Sequence, residues 1–463
     1  MEERQSKLGY RRWLSIIFIG LIGQIAWAIE NNYINLWVFS QSHDANHITW
    51  MTTASAVVAT LTTFFMGALS DKLGKRKIFI AAGYAIWGVT VFSFGLMSLT
   101  NMTNLAQGNA TTAIVLVGVM NVVVDCVMTF FGSTSNDACF NAFVTDETNS
   151  KNRPFVEAVL SIMPLLAMGI MLAVGMILGI PGVQGDMPNA EWAAKIAQPW
   201  FIFFLVFGIL TTLIGIVSFF LIPKDHIIPN REDGYFKHMV KGFTPKAVKT
   251  NPTLYIALLA FMLFNIAIDA FMPYLLVYLQ NLPAVASVDG GFYIIVGTVM
   301  GIASIGVVLI GLFMEKIGKF KVIFPAAACL IAGSLGLFFV RDSLAICTVF
   351  ATIMMFGYLA GTAALGAEIR DDTPINDAGA YQSVRMVFVV MLPMVIGSNL
   401  ASLTFQATSL DEFGRQTKVP DANMFLVTAI AAGIAIAPII WLLLQKKKAA
   451  RAFVQIEDPN QGK

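Results

Sequence analysis

Six ionisable side chains interrupt the long apolar stretches of this sequence, and they are the residues most able to do chemistry. They are Glu30, Asp125, Asp137, Glu157, Asp269 and Arg385. Such a side chain near the middle of a bilayer costs about 2.5–3.5 kcal/mol even on the lenient insertion scale, so it is kept where it faces a partner or a water-filled cavity. The residues therefore indicate binding and movement of a solute or an ion. No nucleophile–base set accompanies them, and we expect no enzymatic activity.

Three of the carboxylates have carboxamide or aromatic neighbours in the sequence. We assign Glu30, Asp125 and Asp269 to a coupling cation, and Trp27, Asn31, Asn35, Asn121, Asn265 and Tyr274 to a substrate. A carboxylate that loses its hydration has a raised pKa and can carry a proton, and the same oxygens could instead ligate sodium. Carboxamides both donate and accept hydrogen bonds, which suits sugar hydroxyls, and aromatic faces suit the apolar face of a sugar ring.

Helical spacing supports this grouping. Asn121 and Asp125 are four residues apart, and Asn265 and Asp269 repeat that spacing. Residues four apart share one face of a helix, so each pair can act together. The alternative is that these pairs hold neighbouring helices together by hydrogen bonds within the membrane.

Two further patterns concern the same region. Glu30, Tyr33 and Trp37 are spaced by three and four residues, which predicts that they share a helical face. The histidines fall in predicted loops, which argues against a histidine proton relay. They are His43, His47, His226 and His238.

The composition requires a lipid environment for the elements that position these residues. Hydrophobic residues make up 57% and charged residues 13% of the 463 residues, and the mean hydropathy is +0.72. That charged fraction is about half of the usual share in soluble proteins. The net charge of +2 gives no basic surface for nucleic acid. The four cysteines lie in apolar runs, which indicates small buried side chains and no disulfide framework.

Twelve apolar runs are long enough to cross a bilayer as helices, which takes about 20 residues each. The predicted spans are 13–39, 49–70, 77–99, 112–140, 155–180, 199–222, 253–281, 290–313, 321–341, 343–367, 377–405 and 422–445. With both termini cytoplasmic, the inner segments contain 25 of the 30 lysines and arginines, as the positive-inside rule requires. We therefore predict an all-α membrane protein with a six-helix half at 1–222, a linker at 223–252, a second half at 253–445 and a cytoplasmic tail at 446–463.

An eleven-residue segment occurs twice, after the second and after the eighth span. The segments 67–77 and 311–321 are identical at five positions and keep an acid at the fifth, Asp71 and Glu315. Glycines allow a tight turn between helices, and the acid can meet a helix amino terminus or a cation and so close the cytoplasmic side. We expect an internal duplication.

The repeated segment also supplies most of the predicted gating residues. They are Gly67, Asp71, Gly74, Lys75, Arg76, Glu315 and Arg385. Arg385 is the one cation predicted inside a span, and Asp71 and Glu157 are its candidate partners. A structural or gating ion pair is favoured over substrate contact.

Twelve spans in two halves with this loop resemble the major facilitator superfamily. Within it, the segment 23–28 (Gly-Gln-Ile-Ala-Trp-Ala) is similar to the opening helix of the sucrose/maltose–proton symporters. Asp125 and the segment 140–146 are similar to that group and to the glycoside–pentoside–hexuronide cation symporters. One departure is Asn141, which stands where the sucrose carriers usually place an arginine.

The resemblance implies a plasma-membrane monomer that alternates access between the two sides of the membrane. It implies uptake of a glycoside or small oligosaccharide coupled to H⁺ or Na⁺, with protons favoured and no cofactor. No phosphate-binding Gly-Lys-Ser loop occurs, so a gradient must supply the energy. A proton-driven exporter of drugs or metabolites, a lipid carrier of this fold and a transporter-like sensor are the alternatives.

Overall fold

The computed structural model describes residues 8–148, 152–225, 242–373, 378–408 and 414–457. Within them, twelve helices are long and apolar enough to cross a membrane, which confirms the predicted all-α class. They are α1 (Tyr10–Ser42), α2 (Ala45–Leu73), α3 (Lys77–Phe94), α4 (Ala110–Glu147), α5 (Val159–Leu178), α6 (Asn189–Leu221), α7 (Pro252–Asn281), α8 (Gly291–Met314), α9 (Phe320–Phe339), α10 (Leu344–Asp372), α11 (Ser383–Thr404) and α12 (Asn423–Lys448). Short helices at Leu99–Leu105, Pro245–Thr250 and Pro283–Ala286 lie in the connections.

The start of α2 corrects the prediction that no histidine lies within a span. The Asp44 carboxylate accepts a hydrogen bond from the Asn46 backbone N–H at 3.0 Å and caps the helix before the apolar run begins. His47 therefore lies inside α2, where it is buried. Its ring packs on Gly118 of α4, where a Cβ would overlap it, and edge-on to Trp50 at 5.2 Å.

Three of the long helices contain π-helical segments. They are Ile29–Tyr33 in α1, Ser133–Phe140 in α4 and Met386–Met391 in α11. Hydrogen bonds from i to i+5 wind the helix more loosely and change which face the following residues occupy.

The π segment of α1 separates residues that the sequence places on one face. The Tyr33 ring stacks on Phe203 of α6 at 5.1 Å, and Trp37 lies 5.8 Å from Trp200 of the same helix. Glu30 instead contacts α4. The prediction of a shared face is therefore wrong, because it assumed a regular α-helical repeat.

The chain forms two compact units that do not follow its sequence halves. Unit 1 contains Met1–Asp233, Pro273–Gly297 and Phe405–Asp421. Unit 2 contains Gly234–Met272, Thr298–Thr404 and Ala422–Lys463. The division into halves at 222 and 253 stays a prediction.

Close backbone contacts at glycines hold the helices of unit 1 together. A Cβ on Gly208 of α6 would lie 2.8 Å from the Gly88 carbonyl oxygen of α3, and a Cβ on Gly215 would lie 2.8 Å from Ala85 Cα. In lipid, apolar side chains provide little drive for helix association, so close packing at small residues contributes it instead.

In unit 2, a glycine likewise allows a close backbone contact between two helices. A Cβ on Gly357 of α10 would lie 2.6 Å from the Ala326 carbonyl oxygen of α9. On α8, Ile302, Ile305 and Leu312 are each more than half exposed. An apolar face of this kind suits contact with lipid tails.

Candidate functional site

Glu30 lies in the π segment of α1, and its carboxylate is 7% exposed. The Thr129 hydroxyl of α4 donates to Glu30 Oε1 at 2.8 Å. The other oxygen, Oε2, has no hydrogen-bond partner among the described residues. A buried carboxylate oxygen without a donor is costly unless it carries a proton or meets a cation.

Asp125 lies one helical turn before Thr129 and is 1% exposed. Its Oδ1 also has no hydrogen-bond partner in the described part of the chain. Asp125 acts electrostatically on Glu30, so the structure brings these two predicted coupling residues together. Ser55 of α2 faces Asp125 from the neighbouring helix.

Asn121 extends this buried group by one turn of α4. Its side-chain N–H donates to the Val117 carbonyl oxygen at 2.7 Å, and its Oδ1 has no partner among the described residues. The residue is fully buried. Its free acceptor faces no donor of the described protein, which leaves it available to a ligand.

No cation of the described chain balances these acids. The charged groups that act on Glu30 are Asp125 and Asp137, and neither a lysine nor an arginine is among them. Like charges so close together disfavour simultaneous ionisation. The arrangement can hold a proton or an external cation, and its chemistry is binding.

An aromatic pair lies beside the acids in unit 1. Trp27 of α1 meets Trp87 of α3 edge-on at 5.0 Å, and both reach Gly132 of α4, where a Cβ would lie 2.9 Å from Trp87 and 3.3 Å from Trp27. The N–H groups of Asn31 and Asn35 donate to backbone carbonyls one turn earlier in α1. Their substrate role stays a prediction.

Asn265 and Asp269 lie together on α7 in unit 2. The Asn265 side-chain N–H donates at 2.8 Å to the Val389 carbonyl oxygen in the π segment of α11, and its Oδ1 has no partner among the described residues. Asp269 is half-buried and acts on Tyr358 of α10. The Asn265 bond is the interhelical contact that the alternative interpretation expects.

Packing fixes the backbone at Asp269. A Cβ on Gly397 of α11 would lie 2.6 Å from the Ile266 carbonyl oxygen and 3.0 Å from the carbonyl carbon of Asp269. The two helices therefore touch backbone to backbone where the predicted coupling residue lies.

Tyr274 lies apart from Asp269 in the unit assignment, since α7 divides between units at Pro273. It is fully buried in unit 1, its hydroxyl is 2.7 Å from the Thr49 hydroxyl of α2, and its ring meets Phe405 edge-on at 4.9 Å. These contacts tie it to protein, and its substrate role stays a prediction.

The loop between α2 and α3 forms an ion-pair cluster around Arg76. The guanidinium pairs with Asp71 and, at 3.3 Å, with Asp146 at the end of α4. Burial alone would lower the pKa of Arg76, but the two carboxylates outweigh it and raise the pKa above its ordinary value. Gly74 ends α2 in the left-handed region with φ 61°, which favours glycine.

Asp225 completes this cluster. Its carboxylate accepts from the backbone N–H groups of Arg76 at 3.0 Å and Lys77 at 3.2 Å, at the positive end of α3. A cavity of about 270 Å³ opens beside these residues. Of the other predicted gating residues, Lys75 is exposed, and a Cβ on Gly67 would lie 3.8 Å from Ala138 Cβ of α4.

In the second copy of the loop, the ion pairs are formed by a residue at a different position of the repeat. Lys319 Nζ lies 3.5 Å from Glu368 of α10 and also pairs with Asp371. Lys446 of α12 pairs with Glu368 and, at 2.9 Å, with Asp372. The side chain of Glu315 lies outside the described residues.

Arg385 is half-buried on α11, and Arg370 acts on it by repulsion. Of its two candidate partners, Asp71 pairs with Arg76 of its own loop, and the side chain of Glu157 lies outside the described residues. The gating role of Arg385 stays a prediction.

Several residues that form contacts in and around the site are not among the predicted residues. Thr129 was not selected, although it lies four residues after Asp125 and that spacing could have found it. Glu368 and Lys446 were missed because each lies at a predicted helix end, where a charge is ordinarily solvated. Only the tertiary structure shows that Glu368 is buried and pairs with Lys446.

Comparisons with known proteins agree with this architecture. The sequence model of the Major Facilitator Superfamily matches residues 12–398. No curated protein matches the sequence. Among solved structures, a mutant of the nucleoside transporter NupG is similar with a TM-score of 0.65 and 11% identity, covering 93% of this chain and 98% of that one.

A second similar structure is a bacterial homolog of the human lysosomal transporter Spinster, in an inward-facing and unoccupied conformation. Its TM-score is 0.60 at 13% identity, covering 95% of this chain and 96% of that one. At these identities the likeness concerns the fold.

Proposed function

The chain belongs to the Major Facilitator Superfamily, and we propose that this multi-pass membrane transporter takes up a glycoside or small oligosaccharide together with a cation, which is a proton rather than sodium. The carboxylates of Glu30, Asp125 and Asp269 couple the cation. The protein works as a monomer in the plasma membrane.

One observation carries the coupling proposal. Glu30 and Asp125 are both buried, each has an oxygen without a partner among the described residues, and no basic group acts on either. Two acids in this state bind and release a proton readily as their surroundings change. The solute gradient and the proton gradient can be linked at such a pair.

The substrate proposal is supported by the carboxamides and the tryptophan that lie on the same two helices as Glu30 and Asp125. Among the described residues, Asn121 has a buried acceptor without a partner, Asn31 and Asn35 carry carboxamides on α1, and Trp27 presents an aromatic ring. Acceptors near an aromatic face suit a ring with several hydroxyl groups. The resemblance to glycoside carriers favours the same class.

Uptake into proteoliposomes tests the proposal. A panel of labelled mono- and disaccharides, with nucleosides added because NupG transports them, is offered under an imposed proton gradient, a sodium gradient or neither. We expect at least one sugar to accumulate under the proton gradient. Accumulation of no sugar under any gradient refutes the substrate class.

Variants then assign the coupling residues. Asp125→Asn and Asp269→Asn should each abolish gradient-driven accumulation, while Asp342→Asn, an exposed acid outside the site, should match the wild type. If both former variants accumulate sugar normally, the coupling assignment is wrong.

A further inference from the structure

A row of polar residues runs along α4 at every fourth position. Its members are Asn121, Asp125, Thr129, Ser133, Asp137, Asn141 and Thr145. The first four are at most 1% exposed, Asp137 is half-buried, and the last two are exposed. The row therefore leads from the buried Glu30–Asp125 pair to solvent at the carboxyl-terminal end of α4, the side on which α1 begins.

The π segment of α4 keeps this row on one face. In an α-helix each step of four residues advances about 40° around the axis, so a row of seven would wind away from its starting face. The looser winding of the π segment Ser133–Phe140 turns the later members back. A π-helical turn in mid-membrane is uncommon and is often found at functional sites.

Contacts connect the row to the coupling acids. Thr129 donates to Glu30, and Asp137 acts on Glu30 electrostatically although it lies two turns farther along α4. The buried hydroxyl of Ser133 acts on Asp137 from one turn before it, although it has no hydrogen-bond partner within 3.5 Å in the described chain. The hydroxyls of Thr129 and Ser133 can each accept and donate a proton.

Among the described residues, no lysine or arginine acts on Asp137. The titratable groups that act with it are Glu30 from α1 and Tyr84 from α3. The helix α2 also packs against the π segment, and no charged group of it acts on Asp137 among the described residues. A carboxylate at a protein surface usually has a basic neighbour or is fully hydrated. Asp137 is half-buried, and no basic group of the described chain acts on it.

We propose that this row is a proton path and that Asp137 is the relay between the Glu30–Asp125 pair and water at the carboxyl-terminal end of α4. The proposal rests on the proton coupling proposed above. A proton leaves the Glu30 carboxyl group, passes along the hydroxyls of Thr129 and Ser133, and protonates the Asp137 carboxylate. Asp137 then releases it to water beside Asn141, and Glu30 is left ionised.

The first test separates proton movement from substrate binding. Asp137→Asn is compared with the wild type and with Asp342→Asn, using a sugar that the wild type accumulates. Accumulation should fall at least about tenfold, in line with the contribution of a positioned proton-transfer group, while exchange of labelled for unlabelled sugar, which moves no net proton, should fall at most about twofold. Equal loss of both, or loss of neither, overturns the proposal.

The second test needs no substrate and so stands even if the proposed function fails. The carboxyl stretching band of lipid-reconstituted protein is followed by infrared spectroscopy after an alkaline pH jump. We expect Asp137→Asn to slow the loss of the remaining band at least about tenfold, with Asp342→Asn unchanged. An unchanged rate in Asp137→Asn overturns the relay.

The variant Asp137→Glu is the control for misfolding of Asp137→Asn. It keeps a carboxyl group at the position and should lose its proton at a rate within about threefold of the wild type. If Asp137→Glu is as slow as Asp137→Asn, the position acts through packing and the relay is refuted.

Discussion

At the scale of single residues, the hydroxyl of Thr129 reports on the charge of Glu30. A hydrogen bond to an ionised group contributes about 1.5–3 kcal/mol, and one between neutral groups about 0.5–1.5 kcal/mol. Thr129 donates to Glu30 across two helices, so the cost of losing this bond depends on whether Glu30 carries a proton.

We predict that Thr129→Val lowers the free energy of unfolding by an amount that changes with pH. The loss should be about 1.5–3 kcal/mol where Glu30 is ionised and about half of that where it is protonated. Thermal melting across pH measures it. The control is Thr63→Val, which removes a hydroxyl bonded to its own helix at Ala59 and should give a pH-independent change.

Arg76 is the second residue whose chemistry can be tested directly. Because its pKa is raised, the guanidinium stays charged throughout the pH range of a transport assay. It bonds Asp71, Asp146 and Ser70 at once through the several nitrogens of its planar fork.

We predict a graded effect in the series Arg76→Lys and Arg76→Gln. The lysine variant should keep part of the transport rate, and the glutamine variant should lose most of it, since it leaves two carboxylates without a cation. Initial uptake rates and melting temperatures measure the series. Full activity in Arg76→Gln would show that the cluster has no gating role.

At the scale of helices, Gly23 sets how closely α1 approaches α3 and α4. A Cβ there would overlap the Asn136 carboxamide and lie 2.5 Å from the Tyr84 hydroxyl. These groups form a network, in which Asn136 donates to Tyr84 at 2.7 Å and Tyr84 donates to the Ile19 carbonyl oxygen at 3.1 Å.

Gly23→Ala should therefore destabilise the protein by about 1–3 kcal/mol, the usual cost of overpacking. The matched control is Gly169→Ala on α5, where a Cβ meets nothing within 4 Å and the better helix propensity of alanine should be neutral or stabilising. Melting temperatures of both variants decide the comparison. Equal behaviour of the two would contradict the packing account.

At the scale of the whole molecule, hydrogen bonds connect segments of unit 1 that are far apart in the sequence. The Tyr293 hydroxyl donates to the carbonyl oxygens of Ile180 at 2.6 Å and Gly175 at 3.1 Å, and the Gln280 side chain donates to the Gly182 carbonyl oxygen at 3.2 Å. These bonds join the α7–α8 region to the α5–α6 connection. The alternating access that the resemblance implies would open this connection by breaking these bonds.

Tyr293→Phe should ease this opening, because it removes a donor from two carbonyl oxygens at about 0.5–1.5 kcal/mol per bond. We expect backbone amides in 176–182 to exchange with deuterium several-fold faster, as measured by mass spectrometry. Tyr10→Phe, at an exposed position, should not change that rate. Unchanged exchange in Tyr293→Phe would show that the hydroxyl does not hold the closure.

The amino-acid sequence alone is enough to establish the lipid environment, the twelve helices and the family. Apolar runs of sufficient length must become helices in a bilayer, since each backbone group has to find its partner within its own segment. Buried acids were equally visible, because their cost within an apolar run marks them at once, as at Glu30 and Asp125. The repeated loop likewise identified Asp71 and Arg76 from the sequence alone.

Which of these residues meet depends on how the helices pack in three dimensions. Spacing predicts faces by assuming a regular helix, and the π segments of α1 and α4 break that assumption, which separates Glu30 from Tyr33 and keeps Asp137 in line with Asp125. Contacts between helices, such as Thr129 with Glu30, depend on which backbones approach closely. That approach is set by small residues and partner helices far away in the chain, so no local stretch of sequence contains it.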